Sequence, residues 1–517
     1  MAYLTDTWKL DIIALLIGVW TFLYFYAKRQ YSYWERNGYK TLPEVSYVFG
    51  HFKTAFLQKE YFGELFARLY RSTNEPFIGA YSILRPMLLL RDPELIQRIL
   101  IKDFSYFTDR GVHCNESFDP LSVNLVGLPG DKWRNLRGKQ SPAFTSGKLK
   151  AMFSTLIACG ADLQKYLENL ANTDELLDIR EVSACHQTNV VASVAFGLDV
   201  DTISNPNHDF RKYGKKILEL KGFNAIRFCV NFIAPKLMTL FRIKCCDQSV
   251  EDFIKSMLQQ TLEYREKNNV YRKDFLQLLI QLRNTGTVQL DDEWETVIKR
   301  DKKMSLNEIA AQAIVFFGAG VETSSTALTF CMFEVAKHQG IQARLHEEID
   351  RVLEKHDGKI TYDALLEMKY MEAVIEEALR KYSVAPMLER TCVQDYVIPG
   401  TNKVILKGID VLIPIFALHR DEKYYENPQV FDPERFSDEN KKGKNQVNRP
   451  YYPFGDGPRN CIGMRLGQLQ TKVGVVMMLQ KFRYELEDRL KNCELEFDPK
   501  AFLLSPKGGL QLYVFNR

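Results

Sequence analysis

The sequence predicts a mainly α protein with small β-sheets, built as a single large domain behind an N-terminal membrane anchor. Three observations predict it. From Pro93 onward apolar residues recur at helical spacing through most of the chain. Only short runs read as strands, chiefly Phe77 to Leu90, punctuated by Gly79 and Pro86. Ile12 to Ala27 carries no charge and has roughly the length a bilayer span needs. With 517 residues, 46% apolar and 12% aromatic, the chain has material for a deep apolar cavity. No composition shift is sharp enough to divide it beyond residues 1–29 as anchor and 30–517 as body.

Each element follows from its residues. The anchor run ends in Phe22, Tyr24, Phe25 and Tyr26 rather than in small residues. A cleaved secretory signal would want a shorter run and a small-residue site. Lys28 and Arg29 follow at once, which favours a cytoplasmic position for everything after them. Tyr39 to Gly50 is a turn-rich joint with Pro43. The clearest helices cover roughly Lys148–Asn172, Val250–Lys267, Ser305–His338 and Tyr370–Tyr382. Ser305 with Glu308 three residues later predicts a capping-box start. Asn284–Lys303 and Ser437–Asn448 are polar and read as surface connections. Phe223 to Phe241, strongly apolar but carrying Arg227, Lys236 and the adjoining Arg242, fits either a core helix pair or a patch that dips into a membrane surface.

Net charge is only +4, too small an excess to argue for nucleic-acid binding, though it suits a protein held against an anionic membrane. Ten cysteines include no C-x-x-C pair, so zinc-ribbon and thioredoxin chemistry has no support. Most, Cys245 and Cys246 included, read as buried free thiols.

Cys461 stands apart. Pro453 to Gly463 reads PFGDGPRNCIG, a tight loop whose backbone amides can approach a ligand, followed by a helix from about Ile462. A thiolate at a helix N-terminus has its pKa lowered by the dipole and nearby N–H groups. The spacing of Phe454, Gly457, Arg459, Cys461 and Gly463 would arise by chance in a chain this long on the order of once in ten thousand. Further marks accompany it. Glu377 and Arg380 form E-x-x-R on one helix face, a weak motif that Glu348 and Arg351 also satisfy. Pro433-Glu434-Arg435-Phe436 precedes the cysteine loop. The long helix carries Ala319-Gly320-Val321-Glu322-Thr323-Ser324, and a glycine there costs about 1 kcal/mol relative to alanine. Close helix packing would account for Gly320; a groove needing an empty site would too. Trp133 and Arg137 lie one helical turn apart.

The cysteine loop resembles the haem-binding loop of the cytochromes P-450, and the resemblance extends from the anchor to the last strand. Together with FFGAGVETSS and the helix around EEALRKY, it is similar to the insect microsomal enzymes of family six. It implies the cytochrome P-450 fold and haem b (iron protoporphyrin IX) with Cys461 as its thiolate ligand. Phe454, Gly457 and Gly463 would shape the loop, with Glu377, Arg380 and Arg435 as a buried ion-pair triad behind it. Trp133, Arg137, Arg390 and Arg459 would meet the haem propionates. Ala319 and Gly320 would leave room over the iron, while Glu322 and Thr323 relay protons to bound oxygen.

The implied activity inserts one atom of O2 into lipophilic substrates, foreign chemicals above all. Electrons would come from the NADPH–cytochrome P-450 reductase, with cytochrome b5 as a second donor, at the endoplasmic reticulum membrane with the body facing the cytoplasm. Lys132, Arg134, Lys139 and Arg465 are candidate docking residues. Phe104–Leu128, Phe316, Phe317, Val384–Met387 and Leu503–Ser505 are the expected pocket wall. Two departures stand out: only Pro43 marks the usual proline-rich hinge, and Ser383-Val384 replace the usual Pro-Pro. Hormone or lipid metabolism, a haem-thiolate isomerase acting on peroxides, and a haem-binding protein without turnover are the competing readings. The last two have no need for a proton relay.

Overall fold

The structure, a computed structural model, describes residues 8–171, 173–288, 304–441, 449–491 and 493–517. In chain order its main elements begin with α1 (Trp8–Tyr31), β1 (Phe77–Ser82), β2 (Arg85–Leu90), α2 (Gly130–Gln140) and α3 (Phe153–Leu170). There follow β3 (Leu177–Asp178), α4 (Ile179–Phe196), α5 (Asp209–Leu218), α6 (Gly222–Ile233), α7 (Pro235–Leu240), α8 (Gln248–Asn268) and α9 (Phe275–Thr285). The C-terminal half holds α10 (Leu306–Lys337), α11 (Gln339–Lys355), α12 (Lys369–Lys381), β4 (Leu388–Thr391), β5 (Tyr396–Val397), β6 (Val404–Ile405), β7 (Asp410–Ile413), α13 (Met464–Leu479), β8 (Phe482–Leu486) and β9 (Gln511–Asn516).

The axis is α10. Its capping box forms as the sequence predicts: Ser305 Oγ accepts from the Glu308 N–H at 3.2 Å, and Glu308 Oε2 accepts from the Ser305 N–H at 2.7 Å. The helix is apolar on most faces and packs along α4, which is buried from Val182 to Phe196. Such all-round burial marks a central helix. Although α10 is also long and apolar enough to cross a membrane, 67% of its apolar window is buried in the protein.

By contrast, the apolar window of α1 is 6% buried. Leu15, Leu16, Trp20 and Phe22 are all exposed, an arrangement a bilayer stabilises and water does not. The C-terminal end of α1 is fastened to the body. Ala27 and Tyr31 are buried, and the Tyr31 hydroxyl meets the Ser46 and Ile83 carbonyls at 3.0 and 2.9 Å.

The Phe77–Leu90 segment is the expected hairpin, with Phe77 opposite Leu90. It forms the edge of a four-stranded sheet in the order β1-β2-β7-β4, parallel only between β2 and β7. A three-stranded sheet, β3-β9-β8, closes the far end. The helix expected over Lys148–Asn172 divides at Met152 into Ser146–Ala151 and α3. Residues 289–303 and 442–448, most of the two expected surface connections, lie outside the described residues. Phe223–Phe241 is not a core pair. It forms α6 and α7 with Phe223, Ile226, Leu237, Leu240 and Phe241 exposed.

Candidate active site

A cavity of about 330 Å³ lies where α10, α2 and the Pro453–Gly463 loop converge. Its walls are mostly apolar, including Leu125, Phe144, Val191, Phe316, Val384 and Leu388. Cys461 lines it, opposite Ala319, Gly320 and Thr323 of α10. Ala319 and Cys461 have accessible surface although protein surrounds them, because that surface faces the cavity.

The loop is held by its own backbone. Cys461 N–H donates to the Phe454 carbonyl at 2.8 Å, and Asn460 N–H to Gly457 at 3.0 Å. Gly457 has φ +70°, and a Cβ there would fall 1.8 Å from the Leu100 carbonyl oxygen. No other residue fits. At Gly463, just before α13, a Cβ would stand in ordinary contact, 3.9 Å from the Phe144 ring and 4.0 Å from Cys461 Sγ, so packing within the chain alone does not require glycine. Phe454 lines the cavity. One expectation is reversed. Burial pushes the Cys461 thiol up, and this outweighs the lowering by the Gly463 N–H and by Arg137 and Arg110. The helix N-terminus alone does not produce a thiolate here; a coordinated cation would.

Beside the loop stand four guanidinium groups, Arg110, Arg137, Arg390 and Arg459, none ion-paired with a carboxylate among the described residues. Arg459 stacks on Trp133 at 4.2 Å and donates to the Leu128 carbonyl at 2.7 Å. Its Nε is buried without a partner, as are Nε and Nη2 of Arg390. Burial and mutual repulsion bring Arg390 down to about 9, and burial with the Arg110 charge does the same to Arg459. Arg390 is not itself a cavity wall; it stands behind Arg110 and Arg459. Arg137 gives Nη1 and Nη2 to the Asn460 carbonyl and side chain at 3.0 and 2.9 Å, so it also pins the loop. Arg110, half-buried on the cavity wall within the expected segment, is marked by no motif.

Glu377, Arg380 and Arg435 do form a triad. Arg380 donates to both Glu377 oxygens at 2.7 and 2.8 Å, and Arg435 lies at 3.4 Å. None lines the cavity. Their influence runs through backbone: Arg380 Nη1 donates to the His419 carbonyl at 2.8 Å, and His419 Nε2 accepts from the Tyr452 N–H at 2.8 Å, one residue before Pro453. Burial and two arginines hold His419 neutral. With Nε2 accepting, its proton sits on Nδ1 and reaches Ser383 Oγ at 2.9 Å.

On α10, Thr323 Oγ1 donates to the Ala319 carbonyl at 2.5 Å and faces the cavity. Glu322 does not. It points into a separate polar cavity of about 300 Å³, where Arg211 and Arg180 approach at 3.3 and 3.5 Å. Consecutive helical residues diverge by about 100°, so both cannot face one wall. At Gly320 a Cβ would meet Val191 of α4 at 3.0 Å, so close packing accounts for this glycine as well as the cavity does. The expected wall also needs correction. Phe316, Val384, Ala385 and, from Phe104–Leu128, Arg110, Leu125 and Val126 belong to it; Phe317 packs against Phe196 and Phe210 instead. Met387 packs in the cluster around Phe52, and Leu503–Ser505 line the polar cavity. Lys132, Arg134, Lys139 and Arg465 are exposed.

The chemistry of this donor set is specific. One sulfur at the floor, a ring of cations lacking anions, and apolar walls match a flat metallomacrocycle with acidic arms. Known proteins agree. The family model for cytochrome P450 matches residues 41–512. The chain is 39% identical to the probable cytochrome P450 6d5 of Drosophila melanogaster, over 96% of this chain and 98% of that one. It is 36% identical to the cytochrome P450 6k1 of Blattella germanica, over 99% and 98%. To the cytochrome P450 6A1 of Musca domestica it is 37% identical, over 95% of each.

Proposed function

The chain belongs to the cytochrome P450 family and is a haem-thiolate monooxygenase, and from that premise we propose that it oxidises lipophilic foreign chemicals, with residues 30–517 as one catalytic domain. Bound haem supplies activation of O2 and insertion of one oxygen atom. The protein's residues supply the rest. Cys461 would ligate the haem iron, and Arg110 and Arg459 on the cavity wall would meet the propionates, with Arg459 Nε free to donate and Arg390 adding its charge from behind them. Arg137 holds the loop at Asn460 while Trp133 supports Arg459. Ala319 and Gly320 would leave room for the haem and its substrate, and Thr323 would present its Oγ1 proton to the same cavity. Leu125, Phe316 and Val384 exclude water and orient an apolar substrate.

Electrons reach this site from NADPH through the membrane reductase, docked at Lys132, Arg134, Lys139 and Arg465, with cytochrome b5 as an additional donor. α1 anchors the enzyme in the endoplasmic reticulum with the body in the cytoplasm; Lys28 and Arg29 after the apolar run support that orientation. The observation carrying the reading is Cys461 at the floor of an apolar cavity ringed by anion-free arginines. The test reconstitutes purified protein with NADPH reductase, a panel of insecticide-like substrates and isotopically labelled O2. Label in the product is expected. Absence of the thiolate-type red shift in the reduced, carbon monoxide-bound protein would overturn the ligand assignment, and Cys461→Ser should abolish that signature.

A further inference from the structure

A second apolar cavity, about 290 Å³, shares no lining residue with the one above Cys461. One wall is the segment before β1, with Phe49, Phe56 and Phe62; the other is α6, with Ala225, Cys229 and Val230. The walls are tied across by Gln58 Nε2, which donates to the Leu220 carbonyl at 3.0 Å. Its position relative to the anchor is fixed by Ile83, which lines the cavity while its carbonyl accepts from the Tyr31 hydroxyl at the end of α1. Tyr47, two residues before Phe49, stacks on Tyr24 of α1 with centroids 5.8 Å apart. The rim continues into exposed apolar surface on Ile226, Leu237 and Leu240. Lys53, Lys59 and Lys236, beside lining residues, are exposed as well.

We infer that this cavity is a lipid site, holding the acyl chain of a bilayer lipid whose anionic headgroup lies among those lysines. The inference rests on the membrane-anchored reading. A cavity that begins where the anchor leaves the body opens into hydrocarbon, and its phenylalanine wall gives a chain the contacts it has in the bilayer. The cation rim selects acidic headgroups over neutral ones. The site is thus distinct from the catalytic cavity in both lining and occupant.

The test places full-length protein in nanodiscs containing phosphatidylserine with a photoactivatable group near the end of one acyl chain. Labelled peptides are mapped before and after adding a lipophilic substrate that saturates the catalytic site. Expected is label on the peptides containing Phe56 and Cys229, unchanged by substrate, and lost in Ala225→Trp and in Cys229→Phe. Both variants must retain the carbon monoxide spectrum, which certifies folded holoenzyme; two fillings from different positions guard against one failing to fold. Label on α1 but not at Phe56 or Cys229 overturns the lipid site while leaving the anchor standing. Absence of label on α1 overturns the anchored reading itself. Label displaced by substrate overturns the assigned occupant, since the cavity then holds substrate, and label that survives both fillings places the lipid on the open rim.

Discussion

Arg390 and Arg459 are buried beside the half-buried Arg110 and Arg137, and burial together with the neighbouring charge draws the first two down to about 9, so an anion stabilises the group on arrival. Removing one donor on the cavity wall removes a charge-assisted hydrogen bond, worth about 1.5–3 kcal/mol, so Arg459→Leu or Arg110→Leu is expected to weaken haem binding by about 10- to 100-fold. Haem titration of the apoprotein measures it, and unchanged affinity in both would refute their role. A second expectation separates Glu322 from Thr323. Since Thr323 faces the cavity and Glu322 is held by Arg211 and Arg180 on the other side, Thr323→Ala should lower product formed per NADPH consumed more than Glu322→Gln does. Equal losses would mean that Glu322 leaves its arginines during turnover. Breaking that group differs again: Arg211→Met removes the guanidinium shared by Glu181 and Glu322 and leaves Glu322 with Arg180 alone, and should destabilise the fold by about 1.5–3 kcal/mol in chemical unfolding. Cys461 was legible because its neighbours are constrained one by one, Gly457 by the Leu100 carbonyl most sharply. Glu322 was misplaced because adjacency in sequence is divergence on a helix. Arg110 carried no signal, since its partners come from segments distant in sequence.

Elements transmit these constraints. The Glu377–Arg380–Arg435 triad touches no part of the cavity, yet Arg380 holds the His419 carbonyl and His419 holds the Tyr452 amide at the loop's threshold. Ser383 completes the chain by accepting from His419 Nδ1. Ser383→Ala leaves that buried N–H unpaired and should cost about 1–3 kcal/mol, read as a lower midpoint in thermal unfolding of the holoenzyme. A second expectation belongs to the sheet. Glu389 on β4 and Asp410 on β7 are both buried, and burial raises both, Asp410 to about 6 despite Arg85 and Thr391. A carboxyl raised in the folded state stabilises the fold when protonated. That contribution is whole below about pH 4, where an unfolded carboxyl titrates, and is lost as pH rises through about 6. Glu389→Gln keeps the shape without the charge, so its unfolding midpoint should exceed that of the unaltered protein at pH 7.5. The gap should vanish at pH 4; an equal gap at both would trace it to packing. The hairpin at Phe77–Leu90 and the capped α10 were readable because each is specified locally. The parallel pairing of β2 with β7, more than three hundred residues apart, has no local signature.

On the scale of the whole molecule, two apolar stretches of similar composition meet opposite fates, and composition alone does not separate them. α10 is long, apolar and 67% buried across its window, whereas α1 is 6% buried; flanking charge and position distinguished them in the sequence. For α6 and α7 no such flank exists, and the choice between core and surface falls to tertiary packing, which leaves Leu240 and Phe241 70% and 67% exposed. Exposed side chains of that size beside Lys236 and Arg242 have the make-up of an interfacial segment. Such a segment should hold the body to a membrane even without the anchor. The cut that tests this must spare Ala27 and Tyr31, which are buried, so residues 1–26 are removed. The shortened protein should still sediment with phosphatidylserine vesicles and be only partly released by salt, because apolar burial is not screened. Burial of a leucine or phenylalanine is worth about 1.5–3 kcal/mol, so Leu240→Asp with Phe241→Asp should lower the partition coefficient by about 100-fold or more. The carbon monoxide spectrum, whose determinants lie in the cavity above Cys461, should stay unchanged. If the double variant binds as tightly as its parent, α7 faces water and the anchor alone tethers the enzyme. If binding falls and the spectrum holds, α7 is part of the face that meets the bilayer, and the cavity behind α6 lies at that face.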